Sequence, residues 1–212
     1  ILGACEPASI VALDPSAGFI DKARAAVSDP RVEFLIGDAQ ALPVADRCKD
    51  VIVSGLVLNF VPDRAKALHE MQRVARAGAI VGFYLWDYPG GGIEFMRAFW
   101  MAATSLDPGA ADLTEDRRFS FCTRESLSEM AVVAGLQSVD SAVIEVPTVF
   151  KDFADYWQPF TLGAGPAPGY CAGLPPAARE LLRAKLADTL PRQPDGSIHL
   201  QARAFATRGR VP

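Results

Sequence analysis

The chain has 212 residues, half of them hydrophobic and 22% charged, which suits one α/β domain with a sizeable core and is short for two. Its net charge of -4, with no cluster of Lys and Arg, removes the electrostatic basis for binding nucleic acid. The acidic residues are also dispersed, so no disordered acidic tail is expected.

The four cysteines, Cys5, Cys48, Cys122 and Cys171, include no C-x-x-C pair and read as isolated reduced thiols of a cytoplasmic protein. No apolar run reaches the length of a membrane span, and the longest, residues 79–86, fits a buried strand. The chain opens on Ile-Leu-Gly-Ala-Cys without Met, so the lack of a signal peptide is uninformative.

The first expected strand is residues 9–13, apolar and closed by Asp14-Pro15. Ser16 can cap the next helix, whose apolar positions are Phe19, Ala23, Ala26 and Val27. Residues 32–36 form a second strand closed by Gly37-Asp38, and residues 50–54 a third. After Pro62-Asp63 a helix places Leu68, Met71 and Ala75 on one face, with Gly78 suited to its C-terminal cap. Residues 79–86 are apolar throughout, as a central parallel strand requires. Pro89 to Gly92 reads as a flexible turn, and residues 93–103 as a helix with Phe95, Phe99 and Ala102 inward. Thr123 caps a helix carrying Leu127, Met130 and Val133, stopped by Gly135. Residues 139–146 form a further strand. An excursion follows: the aromatic stretch 152–160, a Gly/Pro-rich loop over 163–176 and a helix over 181–190. Residues 197–207 then alternate Ile198, Leu200, Ala202, Ala204 and Ala206 with His199, Gln201, Arg203 and Phe205, the pattern of a two-faced strand.

Strands alternating with helices at this spacing predict a mainly parallel sheet covered on both sides, with the strands' C-terminal ends along one edge. Ligands bind at that edge in such sheets. Asp14 lies there, where a carboxylate can accept the hydroxyl hydrogens of a ribose; as a bare residue it can equally be a turn former. Asp38, beside the small Ala39, offers an acceptor for an exocyclic amine and room for a flat ring, or is simply part of a Gly-Asp turn. Ser54 and Gly55, closing the third strand, allow a ligand close to the backbone.

The ordered set V-A-L-D-P-S, V-x-F-x-x-G-D-A-x-x-L-P, D-V-I-V-S-x-x-V-L-N-F-V-P-D and R-V-A-R-A-G resembles class I S-adenosylmethionine (SAM)-dependent methyltransferases of the type 11 kind, which include ubiquinone/menaquinone methylating enzymes. The resemblance is close over residues 8–87 and looser over 123–146. It implies a Rossmann-like sheet, mostly parallel, whose last, antiparallel strand lies beside residues 79–86. It implies one domain, 1–212, with a core of 1–88, 123–146 and 196–208 and cap insertions near 89–122 and 147–195. It also implies that Asp14, with Pro15, binds the ribose of SAM, that Asp38 and Ala39 bind its adenine, and that Ser54 and Gly55 flank its methionine part. The expected partner is a small or medium organic methyl acceptor.

Two departures stand out. The family's Pro-Gly-Gly is Arg76-Ala77-Gly78-Ala79 here, and its first strand with the D-x-G-x-G-x-G loop does not precede residues 9–13. The chain therefore reads as an N-terminally truncated fragment, expected to be poorly stable and to bind SAM weakly or not at all. Catalytic residues stay unassigned. His199 reads as an edge residue and His69 as solvated, whereas Asp87 and Tyr88 gain interest from following a strand tip. The aromatics Trp86, Phe99, Trp100, Tyr156, Trp157 and Phe160 read mainly as core under a cap, or else as walls of an acceptor pocket. An NAD-dependent oxidoreductase and a non-catalytic methyltransferase-like scaffold are the alternatives; neither Tyr-x-x-x-Lys nor a His-acid pair supports the first.

Overall fold

The computed structural model describes residues 1–163 and 165–212. After a short helix, α1 (Leu2–Cys5), strand β1 (Ile10–Asp14) pairs in parallel with β2 (Val32–Ile36), in register from Ile10↔Val32 to Asp14↔Ile36. Helix α2 (Ala17–Ala26) crosses between them, with Ser16 Oγ accepting from Phe19 N at 3.4 Å as its cap. The expected inward face of α2 is not realised: Phe19 is 62% exposed and Ile20 is buried instead. A two-stranded sheet covers only a narrow stripe of such a helix.

A second sheet has the order β3 (Lys49–Gly55), β4 (Ala75–Trp86), β6 (Ile198–Arg210), β5 (Gln137–Phe150). Strands β3 and β4 are parallel, and β6 is antiparallel to both β4 and β5. The last strand thus lies between the fourth and fifth, as the alternation and resemblance implied. Among the described residues, β1 and β3 each have a partner on one side only. Val51 and Val53 of β3 are 61% and 59% exposed.

Helix α3 (Arg64–Val74) starts at Asp63, whose side chain accepts from Lys66 N, and buries Leu68 and Met71. It passes directly into β4 at Ala75, so Gly78 is not its cap. Gly78 sits inside β4 at φ 79°, a conformation glycine adopts without Cβ strain, and its N–H donates to Val211 O.

Two apolar clusters flank β6. One joins α3 and α6 (Arg124–Val133) to β4 through Leu68, Val81, Leu85 and Leu127. Thr123 Oγ1 caps α6 by accepting from Ser126 N, but Val133 is exposed and Ala131 buried in its place.

The other cluster is the cap, built from α4 (Glu94–Leu106), α7 (Phe153–Trp157), α8 (Pro166–Gly173) and α9 (Pro176–Thr189). Phe99, Trp100, Tyr156, Trp157 and Phe160 all lie in it, with Phe99 and Phe160 stacked at 4.4 Å. The stretch expected as a loop over 163–176 contains α8, which opens on Pro166, a favourable first helical residue because it needs no N–H partner there.

Strand β6 serves both clusters by changing faces. Ile198 and Leu200 point into the cap, whereas Phe205 packs on the other cluster and Thr207, rather than Ala206, is buried. All four cysteines are free thiols. Among the described residues, no helix is long and apolar enough to cross a membrane.

Candidate functional site

Parallel pairing brings Asp14 and Asp38 to one sheet edge. Asp14 ends β1, its register partner Ile36 ends β2, and Gly37 N donates back to Asp14 O at 3.2 Å. Asp38 is the next residue. Gly37 has to be small, since a Cβ there would lie 2.9 Å from both Leu13 and Pro43.

Asp14 Oδ1 accepts from Ser16 N at 2.7 Å, and its second oxygen has no protein partner among the described residues. Pro15, between them, is exposed. Asp38 is exposed and accepts from Gln40 N at 2.8 Å and from Gln40 Nε2, which spans both oxygens. These hydrogen bonds, backbone first, hold its carboxyl below the ordinary range, so it is an ionised acceptor at neutral pH. Ala39 packs against the α3–α6 cluster.

Ser54 and Gly55 close β3 in the other sheet, opposite Phe83 and Tyr84. A Cβ at Gly55 would lie 2.5 Å from the Tyr84 ring, so this glycine answers to a neighbouring side chain within the protein. Leu56 follows at φ 59°, a left-handed conformation uncommon for a branched residue. Beyond it Asn59 is buried, and its Nδ2 has no hydrogen-bond partner. An orphaned buried donor is uncommon and marks a place where a ligand atom would be welcome. Asn59 falls within the V-L-N-F-V-P-D stretch of the resemblance, which gave it no role of its own.

At the tip of β4, Asp87 is buried and its carboxylate accepts from Arg203 Nε and from Gly90 N, each at 2.8 Å. It therefore shapes the 88–92 turn. Glycine is required at 90, where a Cβ would lie 2.4 Å from the Asp87 carboxylate. Tyr88 is largely buried against Phe119, ring centroids 4.9 Å apart. Burial, then the nearby Glu115 and Cys122, hold its hydroxyl above the usual phenol range, and the adjacent Asn59 amide partly offsets this.

Tyr88 and the turn after it line a cavity of about 410 Å³, walled further by Ile93, Met96, Trp100 and Met101 of the cap and by Glu115. The sequence gave no reason to single out Glu115, an acid opening the four-residue helix α5 (Glu115–Arg118). It is 3% exposed, and it accepts from Trp100 Nε1 and from Ala167 N. His199 and His69 are exposed, as expected. Among the described residues no group of His, Cys, Asp or Glu could hold a metal ion.

Residues 2–83 match the methyltransferase domain family model, the stretch that carries Asp14, Asp38 and Ser54. Among solved structures, a protein of Bacillus halodurans C-125 assigned to the methyltransferases aligns over 96% of this chain and 83% of its own, with TM-score 0.58 and 15% identity. The fold is that of the class I methyltransferases. Haemonchus contortus phosphoethanolamine N-methyltransferase 2, solved in complex with SAM, shares the fold at TM-score 0.51 and 13% identity, over 96% of this chain and 44% of its own.

In sequence, the chain is 49% identical over 55 residues to the demethylmenaquinone methyltransferase of Roseiflexus sp. (strain RS-1), covering 26% of this chain. It is 37% identical over 75 residues to the malonyl-[acyl-carrier protein] O-methyltransferase of Yersinia pestis, covering 35% of this chain. These matches span 23% and 27% of the two relatives, about a quarter of their length.

Proposed function

We propose that this chain carries SAM-binding residues of an enzyme that delivers the methyl group of SAM to a small or medium organic acceptor. The observation that carries this reading is the pairing of two acceptor carboxylates, Asp14 and Asp38, at adjacent parallel strand tips inside the segment that matches the methyltransferase family. SAM, when bound, supplies a methyl group on a sulfonium centre. The residues present fit it. Asp14, with Pro15 beside it, has a free oxygen for the ribose hydroxyls. Asp38, kept ionised by Gln40, is a ready acceptor for the adenine amine next to Ala39. Ser54 and Gly55 would flank the methionine end, and Asn59 Nδ2 is a donor in want of an acceptor.

The protein's part in the chemistry is to position the reactants and exclude water, because orientation alone lowers such a displacement barrier substantially. The cap supports this, since Trp100 of its buried cluster, with Ile93, Met96 and Met101, walls one side of the cavity beside the β4 tip.

The methyltransferase matches weigh against the nicotinamide alternative. A non-catalytic or differently catalytic use of the fold keeps one observation in its favour: the [4+2]-cyclase SpnF shares this fold at TM-score 0.52 and 18% identity. Calorimetric titration of the full-length protein separates the readings. SAM is expected to bind and NAD not to, and Asp14→Ala should weaken SAM by at least ~1.5 kcal/mol, the low end for hydrogen bonds to a charged group. NAD binding in preference to SAM, or an unchanged affinity in the variant, overturns the proposal.

A further inference from the structure

The cap cavity has an unusual wall. Glu115 is a buried carboxylate with two N–H donors, Trp100 Nε1 and Ala167 N, and no cation within ion-pairing distance among the described residues. A buried carboxylate is normally paired with a cation or held by several hydrogen bonds, because removing its charge from water is costly. Two neutral donors meet that cost in part and leave lone pairs free, as a carboxylate can accept about four hydrogen bonds. The same cavity is lined by the rings of Tyr88 and Trp100, whose π-faces attract cations.

We propose that this cavity binds a compact organic cation, a protonated primary or secondary amine, with its ammonium group on Glu115 and its carbon skeleton against Trp100, Ile93 and Met96. The inference rests on the cavity beside the β4 tip being the acceptor site, and it names the acceptor's chemical class. A cavity of about 410 Å³ is large enough to admit such a molecule. An anionic acceptor would instead meet the buried Glu115 charge and the neighbouring Asp116.

Burial holds the Glu115 carboxyl above its ordinary range, with Asp116 adding to the effect and the N–H groups of Trp100, Glu115 itself and Ala167 opposing it. The other ionisable groups around it are Tyr88 at the β4 tip and Arg97 on α4, which also line the cavity. Helix α8 brings the Ala167 N–H, with Tyr170 and Cys171 its own ionisable side chains. An amine binds the ionised carboxylate. Amine affinity should therefore rise as pH increases through the raised carboxyl range, with a proton released on binding, and level off above it.

The test uses three probes of one shape on the full chain without SAM: phenethylamine, 2-phenylethanol and phenylacetate, titrated by ligand-observed NMR and calorimetry. The amine is expected to bind at least tenfold more tightly than the alcohol, and the acid most weakly. Glu115→Gln should abolish the amine's advantage and its pH dependence. Glu115 also braces Trp100 and α8, so the test does not rest on this variant alone. Wild-type calorimetry in buffers of differing ionisation enthalpy then decides, by showing proton release on amine binding at mildly acidic pH. Equal binding of amine and alcohol, a preference for the acid, or amine binding without proton release overturns the proposal. Since no probe touches the cofactor residues, this outcome is independent of the SAM titration.

Discussion

The Asp87–Arg203 pair should respond asymmetrically to mutation, and the asymmetry can be worked from burial. The Asp87 side chain is 3% exposed and the Arg203 side chain 38%. Removing one partner of a fully buried pair costs about 3–5 kcal/mol, because a charge is left stranded. In Arg203→Met the stranded group is the buried carboxylate, still held by Gly90 N. The guanidinium already reaches water, so its loss is discounted for screening, giving about 2 kcal/mol. In Asp87→Asn the stranded group is a half-exposed guanidinium that can turn to solvent, and the amide oxygen can still accept from Gly90, so about 1 kcal/mol is expected. Urea denaturation followed by circular dichroism measures both. If Asp87→Asn proves the more damaging, or Arg203→Met costs under ~0.5 kcal/mol, the burial argument is wrong.

Among the described residues, strand β3 has one edge unpaired and exposes Val51 and Val53, the combination that templates edge-to-edge association. Val53→Lys is therefore expected to reduce self-association of residues 1–212 in light scattering, and an unaltered particle size would count against an accessible edge. Asp29 is held by Arg31 to a pKa of about 2, side-chain hydrogen bond first. A carboxyl lowered on folding contributes stability present above its unfolded value and lost as pH falls through the folded one. NMR titration should find the Asp29 midpoint near that low value, and Arg31→Ala should return it toward 3.8, whereas an unshifted midpoint in the parent protein refutes the pairing.

The parallel strands were legible because each is a short apolar run closed by a turn former, and the register of β1 with β2 then follows from their length. The carboxylates Asp14 and Asp38 were legible for the same reason, being fixed by strand ends. The helix–strand border at Ala75 was not, since an apolar residue at that point satisfies helical spacing and strand burial alike. Helix α8 was hidden by its own composition: Pro166, Pro168 and Gly169 read as loop, yet proline is tolerated in a first turn. The switch of faces along β6 was only half visible. Phe205 broke the polar series of His199, Gln201 and Arg203, but which cluster it would meet depends on the distant helix α6. Glu115 gave no signal, and Asn59 only its place in a motif, because their interest lies in what surrounds them, an orphaned donor and a missing counter-charge, and neither is a local property.

Among the described residues the two sheets share no strand pairing, so something else must set Asp38 relative to the cap cavity, and α3 is the element placed to do it. Arg73 donates to Leu42 O and Val44 O, both at 2.9 Å, while Glu70 accepts from Leu42 N at 2.7 Å. Arg73 and Glu70 also bind each other, which keeps the Glu70 carboxyl below its ordinary range and the pair charged. One turn of α3 therefore grips the loop that carries Asp38 from three backbone groups. At the other end of α3, Asp63 N donates to Gln40 Oε1 at 3.1 Å, and Gln40 in turn holds the Asp38 carboxylate. The opposite face of the helix buries Leu68 and Met71 against the cluster that includes Val81 and Leu85 of β4, whose tip carries Tyr88 and the cavity. A contiguous chain of packed and hydrogen-bonded groups thus runs from the adenine-binding candidate to the proposed acceptor site. On the proposed reading, methyl transfer needs two ligands placed closely against each other, and this helix is the element that links the two candidate sites.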